Sequence, residues 1–160
     1  MAIADFRGRF DRLTLVHEDW SDALVAVLRD QFDLTELEVM RLRVLVAETG
    51  RLAASRALPH EEAARASARA QMRELEFSWG AFIARGMQQG VLPENDPRLL
   101  TRALLWLYNS VWHWYRPRGN LSLEEVRDFY VARCLAVAGL PADAPAKRAT
   151  AQRRPARKAA

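Results

Sequence analysis

The side chains of this 160-residue chain that could do chemistry are few and scattered. His17, His60 and His113 fall in different parts of the sequence. None has a second His, a Cys or a carboxylate at the i, i+4 spacing of a helical zinc site. Glu61-Glu62 and Glu124-Glu125 stand at predicted helix starts, where the macrodipole favours acids whether or not they act on a substrate. His17-Glu18-Asp19 are consecutive, so their side chains fan around a helix end and do not converge. Gly86 and Gly90 sit at a helix end with no strand before them, which is not a phosphate-cradling loop. Cys134, the lone cysteine, reads as a packed small hydrophobe. No catalysis, metal or cofactor is expected. The remaining candidate is a wall: between Trp106 and Trp114 the polar tips of Tyr108, Asn109, Trp112 and His113 interrupt an apolar surface. Such a surface suits an apolar ligand held by a few polar contacts, although packed core is the more common use of helical aromatics. Glu76, one turn from Trp79, fits either a cavity wall or a solvated face.

Composition limits the rest. Half the residues are apolar, enough for a buried core in one domain. Pro and Gly are scarce and Ala, Leu and Arg abundant, which favours helix. No apolar window reaches the length of a membrane span, and Met1 to Phe10 lacks the apolar stretch of a secretory signal, so a cytoplasmic protein is expected. The net charge of +4 is unevenly spread. Residues 141–160 carry six Lys or Arg against Asp143 alone, a net of +5, which leaves 18 basic and 19 acidic residues over 1–140. The expected organisation is a helical domain over 1–140 and a disordered Ala/Pro/Arg tail over 141–160. The tail reads as a solvated extension, or else as a weak nonspecific contact with nucleic acid.

Six helices follow from apolar spacing and start signals. Phe6, Phe10, Leu13 and Val16 predict a helix over 5–17, and Asp19 caps a second over 20–31. Thr35-Glu36-Leu37-Glu38 forms a capping box flanked by the staple pair Leu34 and Val39, opening a third helix that runs to about Ser55. Pro59 opens a fourth that extends to about Gln89. Asp96-Pro97 starts a fifth, to Tyr115, and Ser122-Leu123-Glu124-Glu125 is a second capping box opening a sixth that ends at Gly139. Gly119 is the expected bend between the last two.

The fifth helix has too much apolar surface for one subunit. From Leu99 to Tyr115, twelve of seventeen residues are apolar or aromatic, where one amphipathic stripe needs three or four per two turns. A short turn makes it an antiparallel neighbour of the sixth. Two such hairpins across a twofold axis would form a four-helix bundle. Leu100, Leu104, Leu107, Val111, Trp114, Val126, Tyr130 and Val137 are the expected contacts.

Ile83-Ala84-Arg85-Gly86-Met87-Gln88-Gln89-Gly90-Val91-Leu92, Asp96-Pro97 and the run Trp112 to Val126, closing on Ala138-Gly139-Leu140, resemble the effector-binding C-terminal domain of TetR-family transcriptional regulators. The resemblance implies an all-α domain whose last two long helices form a dimeric four-helix bundle. It also implies a small apolar effector enclosed by the other helices, lined here by Leu24, Leu28, Leu42, Leu45, Leu75, Trp79, Tyr108 and Trp112. Regulators of this family carry a helix-turn-helix headpiece for DNA. No segment here has that pattern, so specific DNA binding is not expected of these residues. The alternative is a helical interaction module without a ligand, pairing with an intact regulator or touching nucleic acid through its tail.

Overall fold

A computed structural model describes residues 3–54 and 59–141. These form α1 (Ile3–Val16), α2 (Trp20–Asp30), α3 (Glu36–Ala54), α4 (Pro59–Gln88), α5 (Pro97–Trp114) and α6 (Leu123–Val137), with no strand among the described residues. The helix ends follow the local chemistry. The Asp19 carboxylate accepts from the Ser21 and Asp22 N–H groups, and the Asp96 carboxylate from Arg98 and Leu99 at 2.8 and 3.3 Å. Both capping boxes are closed. Thr35 N–H donates to Glu38 at 2.8 Å and Glu38 N–H returns to the Thr35 hydroxyl at 3.3 Å. The Ser122 and Glu125 pair does the same at 2.8 and 3.2 Å. Gly90 and Gly139, at φ 69° and 83°, terminate α4 and α6, with Val91 N–H reaching Gly86 O and Leu140 N–H reaching Leu135 O.

The bend after α5 includes Gly119, and its left-handed position is Arg118, at φ 64°. Gly119 is needed for a different reason: a Cβ there would stand 3.0 Å from the Arg116 carbonyl. The expected tail over 141–160 lies, but for its first residue, outside the described residues.

The Ser122 box ties one end of the hairpin. The Ser122 backbone N–H, and secondarily its hydroxyl, hold the Glu125 carboxyl below its ordinary 4.5. A carboxyl lowered by folding stabilises the fold above its unfolded value, and that contribution is lost as pH falls through the folded value. Ser122→Ala is expected to reduce stability by about 1 kcal/mol at pH 7. Urea melts should show the gap from the wild type narrowing as pH drops below about 4.5.

α5 is the hub: it packs on α3, α4 and α6, while α1 rests on α2 and α4, and α2 on α6. The core divides into two clusters along it. The first gathers Phe10, Trp20, Leu24, Leu28, Trp79 and Ile83 with Leu100 and Leu104. The second gathers Phe32 and Val39 with Tyr108, Val111, Trp112 and Val126. Trp20 fastens α2 to α4: its indole N–H donates to Phe82 O at 2.9 Å and its ring stacks on Phe82 at 4.7 Å.

Candidate functional site

Thr101, Leu105, Tyr108 and Trp112 are spaced by four, three and four residues, so they form one face of α5. That face turns inward; Thr101 and Trp112 are fully buried and Tyr108 nearly so. The Tyr108 hydroxyl donates to Gln31 O at 2.9 Å, closing the end of α2 onto α5. Its ring meets Phe32 and Trp112 edge-on at 5.3 and 5.5 Å. Burial pushes the Tyr108 phenol well above its ordinary value, against a smaller opposing effect of the adjacent Trp112 indole. It is a neutral hydrogen-bond donor at any physiological pH.

Three polar atoms near this face have no hydrogen-bond partner of ordinary geometry: Thr101 Oγ, Trp112 Nε1 and, from α4, Trp79 Nε1. Thr101 stands opposite Gly80, the neighbour of Trp79, where an added Cβ would come to 3.9 Å from the hydroxyl. The three do not share one space: Trp79 belongs to the first cluster and Trp112 to the second, where its indole neighbours the Tyr108 hydroxyl. Gln31 and Thr101 are the buried polar residues among those described. The Arg9–Asp30 pair, 3.3 Å apart, lies at the margin of the core, and burial, ahead of the opposing Arg9 charge, raises the Asp30 carboxyl.

The residues expected to line a ligand site do not surround one space. Leu24, Leu28 and Trp79, with Leu75 packed against them, belong to the first cluster; Tyr108, Trp112 and Leu42 belong to the second. The side chain of Leu45 lies outside the described residues. α2 explains the division, because its apolar face packs on α1 and α6 and only its end, at Gln31 and Phe32, reaches Tyr108. Glu76 faces water and pairs with Arg102 at 2.7 Å. Burial pushes the Cys134 thiol up to about 12, so it is not a nucleophile at neutral pH. Among the described residues no three His, Cys, Asp or Glu come together as a metal site. Nor is any described helix long and apolar enough to cross a membrane.

The opposite side of α5 faces water yet is apolar. Leu99, Ala103, Trp106, Ser110 and His113 recur at four, three, four and three, the spacing of a helix-pairing seam. Trp106 is 71% exposed. α6 continues the surface with Phe129, 57% exposed, and Val137. Trp114 joins the two helices, donating to the Tyr130 hydroxyl at 3.3 Å with the rings stacked at 6.3 Å.

Residues 17–138 match the family described as tetracyclin repressor-like, C-terminal domain. The chain belongs to that family. No curated protein matches it closely enough to add a more specific relative. Tetracyclin repressor-like C-terminal domains belong to transcriptional regulators, form homodimers and bind small-molecule effectors. The six-helix, all-α arrangement is that of the family.

Seen as a tetracyclin repressor-like domain, the hairpin corrects half of the expected pairing set. Leu100, Leu104, Val111 and Val126 are buried in the subunit's own core and cannot form a free face. Leu107 and Tyr130 are partly buried and packed against that core, while Trp114 and Val137 are exposed. Leu99, Trp106 and Phe129, outside the expected set, are exposed as well. Thr101, Gln31 and Phe32 were likewise missed at the inner face. A threonine amid leucines was the available signal for the first.

Proposed function

We propose that this chain is the homodimerising, effector-sensing part of a regulator, acting in the cytoplasm and performing no reaction of its own. The observation that carries this reading is the outward apolar face of α5 and α6, a Trp- and Phe-bearing surface that water would cover in a monomer. It spans two adjacent helices, and an isologous pairing would set it against its own copy across a twofold axis. The exposed row Leu37, Met40 and Val44 on α3 is narrower and lies on one helix.

α5 makes the two roles mechanically dependent. One side carries Thr101, Tyr108 and Trp112 inward, and the other carries Leu99 and Trp106 toward the second subunit. A ligand that displaces the inner face rotates or shifts the same rigid rod that forms the dimer contact. To act as a switch it must bind one subunit arrangement more tightly than the other. The protein is expected to run as a dimer in multi-angle light scattering at micromolar concentration. Native mass spectrometry should find it carrying a small molecule with a mass that denaturation releases. A monomer at those concentrations overturns the pairing; a clean dimer mass with no ligand, even after growth in rich medium, leaves the interaction-module alternative in its place.

A further inference from the structure

We propose that the groove between α1 and α4, with the arginine row beside it, is a docking site for an acidic helix of a partner protein. That helix carries carboxylates one turn apart and a bulky apolar residue beyond them. The site lies apart from the sensing and pairing roles proposed above and depends on neither.

The groove measures about 410 Å³ and is lined by Arg7 of α1 and by Ala70, Arg73, Glu74, Phe77 and Ser78 of α4. Phe77 is 78% exposed, more than Trp106, and belongs to neither core cluster. The acids around the groove are already engaged. Arg7 pairs with both Asp11 and Glu74, and Glu76 pairs with Arg102. Arg69 and Arg73, both exposed, are left without a counter-charge among the described residues. They follow Arg65 at intervals of four, so the three form one row along α4. Like charges at that spacing repel, and no acid stands three or four positions from Arg69 to relieve it. An anionic partner relieves that repulsion.

Shape and sign select the occupant. Each interval of four residues rises about 6 Å, and one interval beyond Arg73 the row reaches Phe77. A second helix with acids four residues apart repeats the same step, and its next turn brings an apolar side chain to Phe77 and Ala70. A small anion answers one arginine and leaves the rest of the row. A nucleic-acid strand is charged at every residue, so it would bring phosphates against Glu74 and Asp11 at the groove and Glu62 at the head of α4.

The test uses the full chain and a fluorescein-labelled, Ala-based helical peptide with Glu at two positions four apart and Leu one turn further. A labelled poly-dT strand is the comparison. Fluorescence anisotropy should show saturable peptide binding. Arg69→Glu combined with Arg73→Glu should weaken it roughly ten-fold, and Phe77→Ala roughly five-fold. A peptide with Lys in place of its Glu residues should prefer the charge-reversed variant to the wild type, which a merely structural effect would not produce. All three side chains are exposed, so melting temperatures should stay within about 2 °C of the wild type. Equal affinity of the Glu peptide for the wild type and the charge-reversed variant overturns the proposal, as does the lack of saturable binding. Tighter binding of poly-dT than of the peptide, lost on the same charge reversal, also overturns it and makes the row a nucleic-acid contact.

Discussion

Trp106→Glu is expected to turn the dimer into folded monomers. The side chain is exposed in the subunit, so the helix loses no internal packing when it is replaced, and surface substitutions of that kind change subunit stability by about 0.5 kcal/mol or less. In the proposed pairing it is the largest aromatic at the centre of the α5 row, with Ala103 and Ser110 on either side leaving room for a partner ring. Its loss removes an anchor, and the new carboxylate must be desolvated against apolar neighbours. Together these should cost about 3 kcal/mol of association, roughly a hundredfold or more in Kd. Sedimentation velocity at a few protein concentrations reads the result directly. Leu104→Glu provides the contrast. Leu104 is fully buried in the first cluster, so a charge there should unfold the subunit and abolish the helical circular dichroism. If Trp106→Glu sediments as the wild type does, the outward face of α5 is not the interface.

Gly86→Ala should lower the melting temperature by about 6 °C, taking roughly 3 °C per kcal/mol for a chain of this size. Two effects compete. Alanine in place of an interior helical glycine gains about 1 kcal/mol of helix propensity. Against that, a Cβ at Gly86 would stand 2.5 to 2.9 Å from three atoms of the Trp20 ring. Overpacking a core costs about 1–3 kcal/mol and sometimes more when the neighbour cannot yield. Trp20 is such a neighbour, since its ring is stacked on Phe82 and its N–H is committed to the Phe82 carbonyl. The clash should therefore win by about 2 kcal/mol. A variant that melts at or above the wild-type temperature would mean that Trp20 is free to move and that the α2–α4 contact is looser than its geometry.

The helices themselves were legible because their signals are local. Each capping box, each Asp cap, Pro59 and Pro97 at helix starts, and the two terminating glycines act over three or four residues, and the structure places the boundaries within a residue or two of where they point. The bend after α5 was legible from Gly119, whereas the residue that takes its left-handed position, Arg118, was not marked by type. The residues at the inner face were less legible. Leu24 and Tyr108 are both apolar positions of good helices, and spacing within a helix says nothing about which of two clusters a residue joins.

From the order of residues alone came the helical class, the six segments, their caps and the fact that the fifth helix holds more apolar surface than one neighbour can cover. Which side of that helix is left over could only be decided in three dimensions. Because apolar residues stand on more than one side of this helix, the row through Leu100 and Leu104 and the row through Leu99 and Trp106, one residue apart, both look suited to a partner. The contacts with α3, α4 and α6 broke that tie by burying the first row and leaving the second in water.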